Sequence, residues 1–297
     1  MGAAMAGRLL EAGWPLVVYN RTRGAAQPFA DRGAAVGASP REVAEKADIV
    51  MTMVTDDAAV RDVVFGADGV LAGLGTGKVL ADLTTASPAR AIEIESAAAG
   101  IGARTLDVRV SGSIEPARKG ELLILAGGDS QTLDRTRPVL EVLGRKIIHT
   151  GSHGTAAVTK LALNILLGLE MQALAEAFTL ARKAGISAEV IAETIGSSGL
   201  SSPFITSKLA LIRSGDFAPT FTLRLMQKDF ALALDEGVRL ATPLPATAAA
   251  DEVAKAGMAN GLGDLDFAAL YLAQTMLSGV KPESAPKEHV KEPAQAI

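Results

Sequence analysis

The sequence predicts an α/β domain built on a largely parallel sheet over residues 1–151. An all-α domain over residues 152–280 follows, beginning with a long interdomain helix. Two observations carry this division. Up to Gly151, β-type runs alternate with helical stretches; after Gly151 the β-type runs stop. Alternation of this kind gives parallel strands joined by helical crossovers. A chain of 297 residues is long enough for two such domains.

The β-type runs are "PLVVYN" (Pro15–Asn20), "DIVMTMV" (Asp48–Val54), "KVLADLT" (Lys78–Thr84), "ARTLDVRV" (Ala103–Val110), "LLILAGG" (Leu122–Gly128) and "KIIHTG" (Lys146–Gly151). Helical stretches lie between most of them. Over Ser39–Ala47, for example, Ser39 is placed to cap and Pro40 to take the first helical position. From Gly154 to about Lys183 the pattern reads as one helix stopped at Gly185, and further helices run to about Ser278. The tail, residues 281–297, is rich in Pro and charge and is expected to be disordered.

Bulk properties narrow the function classes. A net charge of −4 gives no reason to expect nucleic acid or an anionic membrane as partner. The absence of Cys excludes disulfides, thiolate metal sites and a thiol nucleophile, and three His argue against a multi-His metal centre. No signal-type n- and h-regions open the chain, and the most apolar run, Ala156–Leu169, is interrupted by Lys160 and Asn164. The expectation is a soluble cytoplasmic enzyme.

The opening segment, "MGAAMAGRLLEAGWPLVVYNRT", has the form of the latter part of a nucleotide-binding βαβ unit. In G-x-G-x-x-G the first two glycines shape the turn over the pyrophosphate, and the third lets the helix pack close to the strand. Gly2 fits only the third place. The ribose-discriminating residue is expected about 20 positions beyond the fingerprint, where Asn20 stands, followed by Arg21 and Thr22. An acid there would bind a free 2′-hydroxyl; an amide followed by guanidinium and hydroxyl suits a 2′-phosphate, so NADP(H) is read over NAD(H). The alternative for this turn is a solvated polar loop.

Ligands sit at the carboxyl ends of strands in such sheets, which turns "MVTDD" (Met53, Val54 onward) and "DLTTASP" toward the cofactor. Ser87 before Pro88 also reads as a plain helix cap. In an order 3-2-1-4-5-6 the absent first strand is the central one, leaving two facing edges. The simplest reading of this opening is a start assigned too late; a truncation that has lost cofactor binding is the alternative.

"GTAAVTKLALNILLG" is apolar almost all round, and Lys160 and Asn164 stand one turn apart on one face. Either Lys160 snorkels to a rim while Asn164 joins helices, or both project into a cleft. In the second case desolvation lowers the lysine pKa and fits it to donate a proton to a carbonyl oxygen. Ser111-Gly112-Ser113 at a strand end offers backbone N–H groups in a Gly-permitted turn, a small-anion receptor, although Ser-Gly turns are common. In "FTLRLMQKDF", Phe221 precedes Lys228 and Asp229 on a helix whose plain reading is a solvated Lys-Asp face.

Taken together these segments resemble the β-hydroxyacid dehydrogenase family, most closely its glyoxylate/succinic semialdehyde reductase branch, from Met1 to about Tyr271. "GAAMAGRLLEAG…VVYNRT" is similar to the family entry motif, "VSGSIEPARKGELLILAGGD" to its substrate segment, "GTAAVTKLALN" to G-x-x-x-K-x-x-x-N, and "GLGDLDFAAL" to the C-terminal signature.

The resemblance implies a Rossmann-type NADP-binding domain with its first strand absent. It implies Lys160 as the catalytic lysine and Asn164 as the substrate-orienting amide. Ser111, Gly112 and Ser113 would hold a carboxylate, Thr85 would touch substrate and cofactor, and Phe221, Lys228 and Asp229 would close the site. The activity implied is NADPH-dependent reduction of a small aldehyde acid, such as glyoxylate or succinic semialdehyde, to the hydroxy acid. The alternatives are a 3-hydroxyisobutyrate or tartronate semialdehyde enzyme, and a truncated, non-catalytic member. A homodimer or homotetramer is implied by analogy. Three departures stand out. Arg109 replaces the usual Pro, and it would either recruit acids or pair with Asp107. Ala156 replaces a glycine, and Leu163 replaces a frequent second Asn.

Overall fold

The computed structural model describes residues 1–282; the expected disordered tail lies outside the described residues from 283 on. The described residues form two compact units, 1–160 and 161–282.

The first unit opens with α1 (Gly2–Glu11), whose exit turn places Gly13 at φ +81°. β1 (Val17–Val18) pairs in parallel with β2 (Ala35–Val36) across a 3-10 turn and the short α2 (Gln27–Ala30). β2 has only two residues, too few for an alternation to be read from the sequence. α3 (Pro40–Lys46) starts as the sequence predicts, with the Ser39 hydroxyl accepting the Glu42 N–H at 3.2 Å and Pro40 in the first turn.

Then come β3 (Ile49–Thr52), α4 (Asp57–Phe65), α5 (Val70–Gly73), β4 (Val79–Asp82) and α6 (Pro88–Ala99). They are followed by β5 (Arg104–Ser111), α7 (Ile114–Lys119), β6 (Leu122–Gly127), α8 (Ser130–Leu143) and β7 (Gly144–Gly151). Ser87 does cap α6, its hydroxyl accepting the Arg90 N–H.

Strands β3 to β7 lie side by side in chain order, parallel throughout except for the antiparallel β5–β6 pair. Among the described residues no strand pairing joins β1–β2 to this five-stranded sheet. The break falls where the sequence order puts the central strand.

Side-chain alternation gives the sheet two faces. Ala81, Leu106, Val108, Val110 and Ile124 pack with Met5 and Leu9 of α1 and Leu140 of α8. On the other face, Val50 and Leu80 pack with Val60, Val64, Ile94 and Ala98. Toward the carboxyl ends of β3 to β5, that second face turns polar: Thr52, Asp82 and Asp107 are register partners, and Arg109 follows Asp107 by two residues. All four are buried.

α9 (Thr155–Lys183) runs on from the first unit into the second, and Gly185 beyond it takes φ +85°. At 29 residues it is long and apolar enough to cross a membrane by length and composition, but Met171, Leu174, Ala175 and Phe178 lie in the core of the second unit. That is the burial of an interior helix in a helical domain. The remaining helices are α10 (Ala188–Ser197), α11 (Pro203–Ser214), α12 (Leu223–Arg239), α13 (Pro245–Ala259) and α14 (Leu270–Ser278). Their core holds Phe217, Leu223, Met226, Phe230 and Tyr271, with Gly168 of α9 seated directly against the Phe230 ring and the Met226 sulfur.

Candidate active site

Because β3, β4 and β5 are parallel, the loops leaving their carboxyl ends emerge at one edge of the sheet. They carry Met53 and Val54, Thr84 and Thr85, and Ser111-Gly112-Ser113. The first two loops are tied together by the Val54 N–H, which donates to the Thr84 hydroxyl at 3.1 Å. A methyl group added at Gly2 would lie 3.6 Å from the Met53 carbonyl oxygen, so the first turn of α1 packs directly on the loop after β3. Two residues singled out from separate stretches of sequence are thereby neighbours.

Beyond β1, the Asn20 side-chain oxygen accepts the Thr22 N–H at 2.8 Å, closing a turn that leaves Arg21 and Thr22 exposed. At the end of β5, Gly112 holds φ +134°, and a side chain there would come within 2.8 Å of Leu122 and 3.2 Å of Pro116. Only glycine takes that backbone in that space. Ser113 occupies the N-cap position of α7 without bonding through its hydroxyl there, and it is exposed.

On α9, Lys160 is half-buried and Asn164 buried. The Asn164 amide donates to the Asp229 carboxylate of α12, and the Lys228 ammonium lies 3.0 Å from the other Asp229 oxygen. Asn164 therefore does join two helices, as one of the two readings of its position expects. The solvated Lys-Asp face does not form: Asp229 is 2 % exposed, because its turn of α12 points at α9. Phe221, just before α12, packs edge-on against Phe267 at 5.8 Å, and Asp266 accepts its backbone N–H.

Of the two readings of Arg109, the pairing with Asp107 holds and the recruitment of acids does not. Arg109 is 0 % exposed. Its Nη1 donates to the Asp82 carbonyl at 2.7 Å and the Val108 carbonyl at 2.8 Å, with the Asp82 carboxylate at 3.3 Å; its Nη2 lies 3.0 Å from Asp107. Burial pushes the Asp82 carboxyl above its ordinary range, against the opposing pull of the Arg109 charge. Three residues near the site were not assigned a role from sequence: Thr84, Asp82 and, as a partner of α9, Asp107. The legible signal was a charge inside a buried strand, which must find a partner.

This set suits a nicotinamide dinucleotide. Arg21 and Thr22 are exposed on the turn after β1, and Met53, Val54 and Thr85 follow the carboxyl ends of parallel strands, the edge at which such folds take their ligands.

The comparisons agree. Residues 1–151 match the family model described as the NAD binding domain of 6-phosphogluconate dehydrogenase, and residues 154–273 match the NAD-binding domain of NADP-dependent 3-hydroxyisobutyrate dehydrogenase. The chain is 36 % identical to glyoxylate/succinic semialdehyde reductase 1 of Arabidopsis thaliana, over 92 % of this chain and 94 % of that protein. It is 34 % identical to 2-(hydroxymethyl)glutarate dehydrogenase of Eubacterium barkeri, over 94 % and 93 % of the two chains. The structure of the Mycobacterium tuberculosis 3-hydroxyisobutyrate dehydrogenase with L-serine superposes with a TM-score of 0.82 at 32 % identity, over 92 % and 94 %. With its Rossmann-type first domain and helical second domain, the chain belongs to the β-hydroxyacid dehydrogenase family of NAD(P)-dependent oxidoreductases.

Proposed function

We propose that this enzyme reduces a small aldehyde acid, such as glyoxylate or succinic semialdehyde, to the hydroxy acid with NADPH, and that Lys160 donates the proton. The observation that carries this reading is the α9 segment. Lys160 and Asn164 stand one turn apart on a single helix, and Asp229 holds the Asn164 amide in one orientation. The similarity to the Arabidopsis reductase supports the substrate class.

In this reading the backbone N–H groups of Ser111 to Ser113 and their hydroxyls hold the substrate carboxylate, at a turn that Gly112 alone permits. Bound nicotinamide supplies the hydride to the carbonyl carbon. Lys160 Nζ–H hydrogen-bonds the carbonyl oxygen, stabilises the negative charge that develops on it, and hands over the proton that completes the hydroxyl. The Asn164 amide orients the same group. Arg21 and Thr22, exposed on the turn after β1, favour the 2′-phosphate of NADPH over the free hydroxyl of NADH. A homodimer or homotetramer belongs to the same reading, supported by Leu180, Met276 and Leu277, which are exposed on α9 and α14. The 3-hydroxyisobutyrate dehydrogenase likeness favours one second reading, a branched hydroxy acid oxidised at the same lysine.

Steady-state rates with glyoxylate, succinic semialdehyde and 3-hydroxyisobutyrate, each with both cofactors, separate these readings. The expected result is the highest kcat/KM for an unbranched aldehyde acid, with NADPH bound about 10-fold or more tighter than NADH. Equal or NADH-favouring affinity contradicts the cofactor assignment, and a preference for the branched hydroxy acid contradicts the substrate.

A further inference from the structure

We propose that Asp107, braced by Arg109, is a positioning residue for Lys160. The inference rests on the proton-donor reading above and adds to it the device that holds the lysine in register.

The Asp107 carboxylate reaches from the middle of β5 to the start of α9. One oxygen accepts the N–H of Gly154 at 3.0 Å and the N–H of Ala157 at 3.1 Å. The first turn of a helix presents N–H groups with no partner inside the helix, and an anion there also meets the positive end of the helix dipole. A strand residue thus performs the work of a cap across 47 and 50 residues of sequence, anchoring α9 to the sheet in addition to the bonds Thr155 makes with Ser152 of the preceding loop. Lys160 follows Ala157 by three residues. It is therefore on the same side of the helix, about 4.5 Å further along the axis. Whatever moves the Asp107 carboxylate moves the lysine.

Arg109 fixes that carboxylate. Its Nη2 lies 3.0 Å from the second Asp107 oxygen, and its Nη1 is held by the Asp82 and Val108 carbonyls. The same Asp82 extends the connection to the loops: its carboxylate accepts the Thr52 hydroxyl at 2.7 Å and the Thr84 N–H at 3.3 Å, and Thr84 in turn holds Val54. One guanidinium, 0 % exposed, therefore links the ends of β3 and β4 and the start of α9. Arg109 also stands two residues before Ser111, so the carboxylate turn leaves from the same braced strand.

Stability alone gives no reason for this arrangement. Three charged groups are buried together, and Arg109 Nε and Nη2 and one Asp107 oxygen lack an aligned hydrogen bond. Well-packed apolar side chains commonly do as well or better energetically. What the cluster supplies is a fixed geometry. Reacting groups displaced by about 1 Å lose up to about 100-fold in rate.

The test uses the full-length enzyme with NADPH and its best aldehyde acid. It compares Asp107→Asn, Arg109→Met, Arg109→Lys, Lys160→Ala and the control Val108→Ala, which trims the opposite, apolar face of β5. Asp107→Asn is expected to lower kcat about 10- to 100-fold while KM and the NADPH Kd stay within about threefold; Arg109→Met, which also releases Asp82, is expected to lower kcat as much and to raise KM or the NADPH Kd as well. Arg109→Lys, which keeps the charge but not the two-nitrogen fork, should recover part of the kcat lost in Arg109→Met. Val108→Ala should lower the melting temperature and leave kcat within about twofold.

An unchanged kcat in Asp107→Asn overturns the proposal. So does a loss in Val108→Ala as large as that in Asp107→Asn, or a change confined to KM and Kd. If Asp107→Asn does not fold, the Arg109 pair decides: equal kcat for the Met and Lys variants overturns the proposal. Lys160→Ala separates the two readings. Turnover retained there removes the proton-donor role itself, whereas turnover lost there but retained in Asp107→Asn removes only the positioning role.

Discussion

In the helical unit the buried Asp266 carboxylate is met by the Lys208 ammonium at 2.6 Å, the Thr220 hydroxyl at 2.9 Å and the backbone N–H groups of Ala268 and Thr220. Lys208 itself lies 4.0 Å from the centre of the Phe267 ring, where the face of the ring favours a cation. In the sheet unit one guanidinium is shared between two carboxylates, two of its nitrogens have no aligned hydrogen bond, and burial pushes the Asp82 carboxyl upward.

The first cluster is balanced one to one and closes a loop onto its own domain. The second carries an excess acid and touches the loops and the helix that hold the candidate catalytic residues. Buried charge is tolerated in both, but for different returns.

The largest effect expected from this contrast is in the helical unit. Asp266→Ala strands the Lys208 ammonium, and removing one partner of a buried pair costs about 3–5 kcal/mol. Urea unfolding checks this, and a change below about 1 kcal/mol would remove the distinction between the clusters. A smaller effect, of a different kind, is expected at Asp82. A carboxyl whose pKa is raised on folding contributes its full stability below its unfolded value, near 3.8, and loses that contribution as pH rises through the folded value. The melting temperature of the wild type minus that of Asp82→Asn should therefore fall as pH rises above about 4. A difference that stays flat, or rises with pH, would show that the Arg109 charge rather than burial governs this carboxyl.

Much of this architecture was legible in the sequence, and the exceptions share a cause. Ser39 and Ser87 cap where they were expected to, and α9 runs from Thr155 to Lys183, because capping and helix length are set by neighbours in the chain. β2 escaped because two residues carry no period. Spacing and resemblance nominate candidate site residues, but not the partners the fold gives them. Spacing alone left Asp229 on a solvated face because its bond to Asn164 spans 65 residues, and for Arg109 the pairing with Asp107 was one of two readings while Asp82, 27 residues away, was not foreseen. Partners that distant are fixed by tertiary packing, which no local pattern reports.

The central claim is that Lys160 delivers the proton as the carbonyl is reduced. Single-turnover oxidation of bound NADPH by glyoxylate or succinic semialdehyde, compared between the wild type and Lys160→Met, tests it most directly. The account predicts a step slowed about 100- to 10,000-fold with the NADPH Kd unchanged. A variant that oxidises NADPH within a few-fold of the wild-type rate would contradict it.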